Sequence, residues 1–134
     1  MKVDGSCLCC YLSWETEVDP ESASICNCID CQVLSGSAFR VTVRVTGAFK
    51  FLSGEPKTFE KIAQSGNRRV LAFCPQCGTS IYAKPPEGTE GFFGLRVGSL
   101  RQRNLLVPHA QIWRRSAQTW IDHISAIPAF DGGR

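Results

Sequence analysis

Hydrophobic and polar positions alternate along much of this chain with a period of two. Segment 39–46 shows it best: Phe39, Val41, Val43 and Val45 interleave with Arg40, Thr42, Arg44 and Thr46. That pattern predicts a strand with one wet face. Gly47 interrupts it, and Phe49-Lys50-Phe51 resumes it. Residues 10–18 are rich in strand formers, and 58–62, 69–73, 80–83, 92–97 and 110–113 read as further strands. Ser53-Gly54-Glu55-Pro56, Ser65-Gly66-Asn67 and Pro85-Pro86-Glu87-Gly88 separate them as turns or loops. Near the C-terminus the period changes. Ser116 is a candidate N-cap, Trp120, Ile121 and Ile124 sit at helical spacing, and Pro128 ends the segment. The expectation is an all-β core with a short C-terminal helix, and with Trp120 and Phe130 packed against that core.

The chain has 134 residues and shows no linker, internal repeat or low-complexity tract, so residues 1–134 read as a single domain. At 43% hydrophobic and 20% charged it is not a disordered chain. No apolar run approaches the roughly 18 residues of a membrane span. The start, Met1 to Cys7, has no apolar stretch of the kind a signal peptide needs. A reducing, cytoplasmic setting is therefore expected.

Cysteine changes the picture. Eight cysteines in 134 residues fall below the density of small disulfide scaffolds, about 8–10%, and a reducing compartment disfavours disulfides. They are clustered: Cys7, Cys9 and Cys10, then Cys26, Cys28 and Cys31, then Cys74 and Cys77. Such spacing points to metal ligands. Cys7 and Cys9 share a face of an extended chain, whereas Cys10 points the other way and is expected as a small buried hydrophobe. Cys74-Pro75-Gln76-Cys77-Gly78, between two strands, is a zinc-knuckle arrangement, with Gly78 expected to permit close backbone approach. Cys26-Asn27-Cys28-Ile29-Asp30-Cys31 offers three thiolates within six residues. Three protein ligands with a free fourth position is the pattern of catalytic zinc; a fourth cysteine would make the site closed and structural.

Spacing leaves two groupings open. In one, Cys7, Cys9, Cys74 and Cys77 form a closed site, and Cys26, Cys28 and Cys31 an open one. In the other, Cys7, Cys9, Cys26 and Cys28 share an ion, leaving Cys31, Cys74 and Cys77, with Cys10 as a further candidate. The second splits a three-cysteine turn between two ions, which is sterically awkward.

The formal net charge is +3. Seven bound thiolates and two Zn²⁺ ions would bring it to zero, which leaves little electrostatic reason to expect nucleic acid. Arg68-Arg69 and Arg114-Arg115 read as solvated faces. His109 and His123, the two histidines, lack ligand spacing with any cysteine and read as surface or packing residues.

Taken together, Gly5-Ser6-Cys7-Leu8-Cys9, then Cys26 to Cys31, then Ser35-Gly36-Ser37-Ala38-Phe39, then Phe73-Cys74-Pro75-Gln76-Cys77-Gly78 resemble the glutathione-dependent formaldehyde-activating family, which includes the domain of centromere protein V. Gly98-Ser99-Leu100, Ile112-Trp113, Trp120 and Pro128 to Phe130 add to the resemblance. It implies a zinc-ribbon-like fold of several twisted antiparallel sheets. It also implies the first grouping: Cys7, Cys9, Cys74 and Cys77 on a structural zinc, and Cys26, Cys28 and Cys31 on a second, functional zinc. The chain departs from the family pattern at Asn27 and Gln111, where His is frequent, at Cys10, where Gly is common, and at Arg101, where an acidic residue is frequent.

The resemblance implies addition of glutathione to formaldehyde, giving S-hydroxymethylglutathione; the reverse is a carbon–sulfur lyase reaction. The physical logic stands beside it. A thiolate is the nucleophile, and a free thiol is mostly protonated at neutral pH. A zinc with three thiolates carries a local charge of about −1, which favours exchange of soft thiolate ligands over carbonyl polarisation. Asp30 is placed to orient a ligand, accept a proton or cap a turn. The carboxylates of glutathione call for an arginine, with Arg40, Arg44 and Arg69 as candidates. The alternative is a non-catalytic zinc module that binds a protein partner or glutathione, with two closed sites. Exposed edge strands would allow a homodimer.

Overall fold

The computed structural model describes residues 1–133 and is mainly β. The described residues form strands β1 (Lys2–Ser6), β2 (Ser13–Cys26), β3 (Arg40–Val45), β4 (Lys50–Ser53), β5 (Lys57–Ile62), β6 (Arg68–Phe73), β7 (Ser80–Lys84), β8 (Gly94–Arg96) and β9 (Ala110–Ile112). A single α-helix among them, α1 (Ile29–Ser35), follows β2. The strands run in the order β1-β2-β3-β8-β7-β6-β5, with β4 and β9 also paired to β2. Pairing is antiparallel except that β9 lies parallel to β2. No helix among the described residues is long and apolar enough to cross a membrane.

β2 organises the fold. Its first half pairs with β1 and β4, and its second half with β3 and β9. The register shifts between Asp19 and Ser24, around Pro20, which has no amide hydrogen for a ladder. Trp14 on the first half is fully buried and lies 6.5 Å from Phe49 and 6.4 Å from Phe51, ring centre to ring centre. Tyr82 and Phe93 continue this aromatic cluster edge to face at 4.8 Å. Gly5 is required where β1 passes the turn at 97–100: a Cβ there would sit 2.6 Å from the Ser99 carbonyl oxygen.

Several expectations need correction. Residues 10–12 belong to the turn before β2, and that strand continues past 18 to Cys26. β1 and α1 were not legible from the pattern. β3 has no uniformly wet face: Arg40 and Thr42 are buried, with β3 lying between β2 and β8. Segment 92–97 yields only the short β8. The C-terminal turn, Thr119–Ala126, is 3-10 rather than α, is preceded by Gln118 rather than Ser116, and has Trp120 and Ile124 about half exposed. Phe130 is also exposed, at 64%, so neither aromatic packs into the core.

Candidate metal centres

The structure brings the cysteines into two groups. The Sγ atoms of Cys7, Cys9, Cys74 and Cys77 all lie within 4.8 Å of one another, and so do those of Cys26, Cys28 and Cys31. Both groups can hold a metal ion.

The four-cysteine group joins the turn after β1 to the turn between β6 and β7. Cys7 and Cys74 are buried. Their neighbours sit at Cys7–Cys9 3.6 Å and Cys9–Cys74 3.7 Å, sulfur to sulfur. A tetrahedron with Zn–S bonds of about 2.3 Å has edges of about 3.8 Å, so the donor set fits zinc without rearrangement. Backbone amides aim at the sulfurs: Leu12 N–H donates to Cys7 at 3.2 Å, and Gln76 N–H to Cys74 at 3.4 Å. Thr79, through its hydroxyl and then its amide, holds Cys77 down at about 5. Gly78 serves the knuckle through its φ of +76°, not through close approach, since nothing lies within 4 Å of where its Cβ would be.

Cys10 joins neither group. It is exposed, with φ +66°, and its amide closes a turn onto the Cys7 carbonyl at 3.0 Å. The expectation of a buried hydrophobe fails because the turn places Cys10 in the left-handed region, where Gly is the usual residue. Cys10 therefore does not supply a fourth ligand to the three-cysteine group.

The three-cysteine group is built by the end of one strand and the start of one helix. Cys26 is the last residue of β2, Cys28 caps α1, and Cys31 lies in its first turn. The Cys28 sulfur accepts the Cys31 amide at 3.3 Å, in the place of a usual Ser or Asp cap. Gly36, at φ +64°, ends the helix. Cys31 is held at about 5, chiefly because its thiolate accepts from Cys26 and then Cys28, with Arg96 and Arg40 nearby. Cys26, as the donor beside Cys31, shifts upward.

These thiols line a cavity of about 620 Å³ that Arg69, Arg96, Trp113 and Phe92 also line. Of the arginines expected at the site, Arg69 lines the cavity and Arg40 lies buried beside the thiols. Arg69 is half-buried rather than solvated, and donates to the Ala83 carbonyl at 2.7 Å. Arg44 lies elsewhere, exposed, its guanidinium 5.3 Å from the Phe92 ring centre. Burial lowers the Arg40 pKa against the pull of the three thiols. Arg96, which sequence reasoning missed, is brought down by burial to about 9 and remains a cation at neutral pH. Its only sequence signal is a charge between Leu95 and Val97.

Asp30 is not one of the grouped ligands; it forms an ion pair with Lys61, a residue of the cavity lining, N to O 2.5 Å. Fully buried Asn27 donates its side-chain amide to Gln111 Oε1 at 3.4 Å and to the Ile112 carbonyl at 3.2 Å. Asn27 and Gln111, two of the four departures from the family pattern, are thus one contact. His109 and His123 are exposed and outside both groups.

A crystal structure of a Rhodobacter sphaeroides protein shares the fold, with a TM-score of 0.56 and 20% identity over 81% of this chain and 98% of that one. No curated protein sequence matches the chain. The family described as "Glutathione-dependent formaldehyde-activating enzyme" matches residues 2–116. That span includes every cysteine of both groups, and the chain belongs to the glutathione-dependent formaldehyde-activating enzyme family.

Proposed function

We propose that the protein is a single-domain carbon–sulfur lyase-type enzyme that joins a thiol such as glutathione to an aldehyde such as formaldehyde. In this reading Cys7, Cys9, Cys74 and Cys77 hold a structural zinc, and Cys26, Cys28 and Cys31 hold the zinc at which the thiol binds. The observation that carries it is the three-cysteine group: three thiols, no fourth Cys, His, Asp or Glu joining them among the described residues, and a cavity in front of them. Zinc held there would bind the incoming sulfur and favour its thiolate form. The chain does the rest. Arg69 and Arg96 on the cavity wall are placed to meet a carboxylate of the thiol. Trp113 and Phe92 supply apolar wall that limits water around the reacting atoms.

In the reaction the thiol loses its proton, and sulfur donates a pair to the aldehyde carbon to form the C–S bond. The carbonyl π pair moves to oxygen, which takes up a proton to give the hemithioacetal. No carboxylate or imidazole is needed within the thiol group, consistent with Asp30 being paired to Lys61. The eight free thiols fit a reducing compartment, and we place the protein in the cytoplasm.

The test is native mass spectrometry of the purified protein titrated with glutathione, followed by NMR measurement of the exchange between glutathione with formaldehyde and S-hydroxymethylglutathione. Two zincs, a saturable adduct and accelerated exchange are expected. Two zincs with no adduct at millimolar glutathione would replace this reading with a non-catalytic zinc module.

A further inference from the structure

We propose that Arg40 and Arg96 make the free ligand position of the three-cysteine centre an anion site, one that prefers ligands of greater negative charge. This deepens the function proposed above and rests on its assignment of a dication to Cys26, Cys28 and Cys31.

The argument starts from register. Cys26 lies opposite Arg40 across β2 and β3, and Thr42 lies opposite Arg96 across β3 and β8. Residues directly opposite share a face, as do residues two apart on a strand. Cys26, Arg40, Thr42 and Arg96 therefore stand on one face of three adjacent strands, and that face looks at the thiols. Arg40 is 6% exposed. Its Nη1 donates to Ser80 Oγ at 2.9 Å, but its Nε and Nη2 have no hydrogen-bond partner, and neither does the buried Nε of Arg96.

Buried guanidiniums normally meet a carboxylate, because an uncompensated charge is strongly destabilising. Here, among the described residues, no carboxylate forms an ion pair with Arg40 or Arg96, and Glu90 is the one acidic residue that lines the cavity. Among the described residues Asp30 pairs with Lys61, Glu60 with Arg68, Asp4 with Arg101 and Asp122 with Arg114. The counter-charges that face Arg40 are the three cysteines. Three thiolates and a dication sum to −1, Arg40 and Arg96 turn that to +1, and Arg69 and Glu90 on the cavity wall offset one another in the sum. One anion in the free position restores neutrality. The centre is thus not the electron-rich, net-negative site that its thiolates alone would make. Arg96 reaches the cavity wall and can touch the bound ligand; Arg40 lies behind the thiols and acts through them as a positioning residue.

The experiment uses the full chain loaded with Co²⁺, whose visible absorption reports thiolate coordination and whose stoichiometry is read by native mass spectrometry. Three small thiols serve as probes: 3-mercaptopropionate, 2-mercaptoethanol and cysteamine. Their bound thiolate forms carry −2, −1 and zero. With affinities corrected for thiol acidity, the expected order is mercaptopropionate, then mercaptoethanol, then cysteamine, and high salt narrows the spread. Arg40→Gln and Arg96→Gln are each expected to keep two cobalt ions and to weaken mercaptopropionate about tenfold, and Arg40→Lys to restore most of the affinity lost in Arg40→Gln. A flat or reversed order in the wild type overturns the proposal whether or not the variants fold. So does an unchanged affinity in a folded, cobalt-loaded Arg40→Gln protein. If the wild type takes cobalt only at its four-cysteine group, the metal assignment itself fails, and both readings fall with it. Two ions with the wrong probe order would sink the charge argument alone.

Discussion

Cys26 and Arg40 face each other across the β2–β3 ladder, so a thiol of the candidate active centre and a buried guanidinium belong to one residue pair of the sheet. The position of the cation relative to the thiols is set by strand register, which a one-residue slip would destroy by turning every side chain to the other face. The β2–β3 ladder therefore supports the centre, while α1 completes it from one side.

Cys28→Ser separates metal binding from folding. The Cys28 sulfur caps α1 by accepting the Cys31 amide, and Ser is a favoured cap, so the helix is retained. A serine hydroxyl is a poor zinc ligand. The variant should keep its circular dichroism spectrum, fall from two metals to one by native mass spectrometry, and lose thiol-dependent activity. Retention of both metals and full activity would rule out the assigned role of Cys28.

Removing metal from the four-cysteine group should act on stability. Its ligands tie the turn after β1 to the β6–β7 knuckle, and Cys7 and Cys74 are in the core. Strong chelation, or Cys74→Ser, is expected to cost about 3 kcal/mol or more, roughly 10 °C in Tm. Calorimetry with and without chelator reads this directly. An unchanged Tm after metal removal would show that the group is not structural.

Cys10→Gly should not weaken the protein. Cys10 holds φ +66° outside both thiol groups, a conformation that costs an ordinary residue about 1–2 kcal/mol. Glycine relieves that cost and returns part of it as unfolded-state entropy. The expected result is a stability equal to wild type or higher by up to about 1 kcal/mol in urea unfolding, with metal content unchanged. A lost metal ion in this variant would contradict the placement of Cys10.

Asn27 and Gln111 should behave as a pair. Asn27 anchors β9 beside the cavity through Gln111 and the Ile112 carbonyl. Asn27→Ala would remove both hydrogen bonds of this fully buried side chain, while the Ile112 carbonyl keeps the backbone amide of residue 27, and is expected to cost about 1 kcal/mol. Gln111→Ala should cost less, because Gln111 is exposed. In a double-mutant cycle the two should be non-additive. Full additivity would mean that the 3.4 Å contact carries no energy.

Some of this was written in the chain directly. Alternation over 39–46, the turns at 53–56 and 65–67, and strands flanking Cys74-Pro75-Gln76-Cys77 are local signals, and they name β3 to β7 within a residue or two. Cysteine spacing and the family motifs likewise pointed to the two thiol groups that the structure brings together. α1 escaped notice because seven residues capped by a thiol carry no conventional helix start. The C-terminal segment has helical spacing but forms 3-10 turns, with Trp120 and Ile124 about half exposed.

What the sequence determined alone was therefore the inventory: which thiols exist, at what spacing, and between which strands. Tertiary structure decided the charge around them. Arg40 alternates with valines exactly as a solvent-facing residue would, and Arg96 sits unremarked between Leu95 and Val97. Burial of a residue depends on what covers its face of the sheet, and that is decided by strand order. With β3 placed between β2 and β8, both arginines turn inward to the thiols. Cys10 moved the other way, from an expected core position to the surface, because a left-handed turn left it outside both groups. Spacing along a chain fixes local geometry, whereas the sign of the field at a site depends on pairings between residues far apart in sequence.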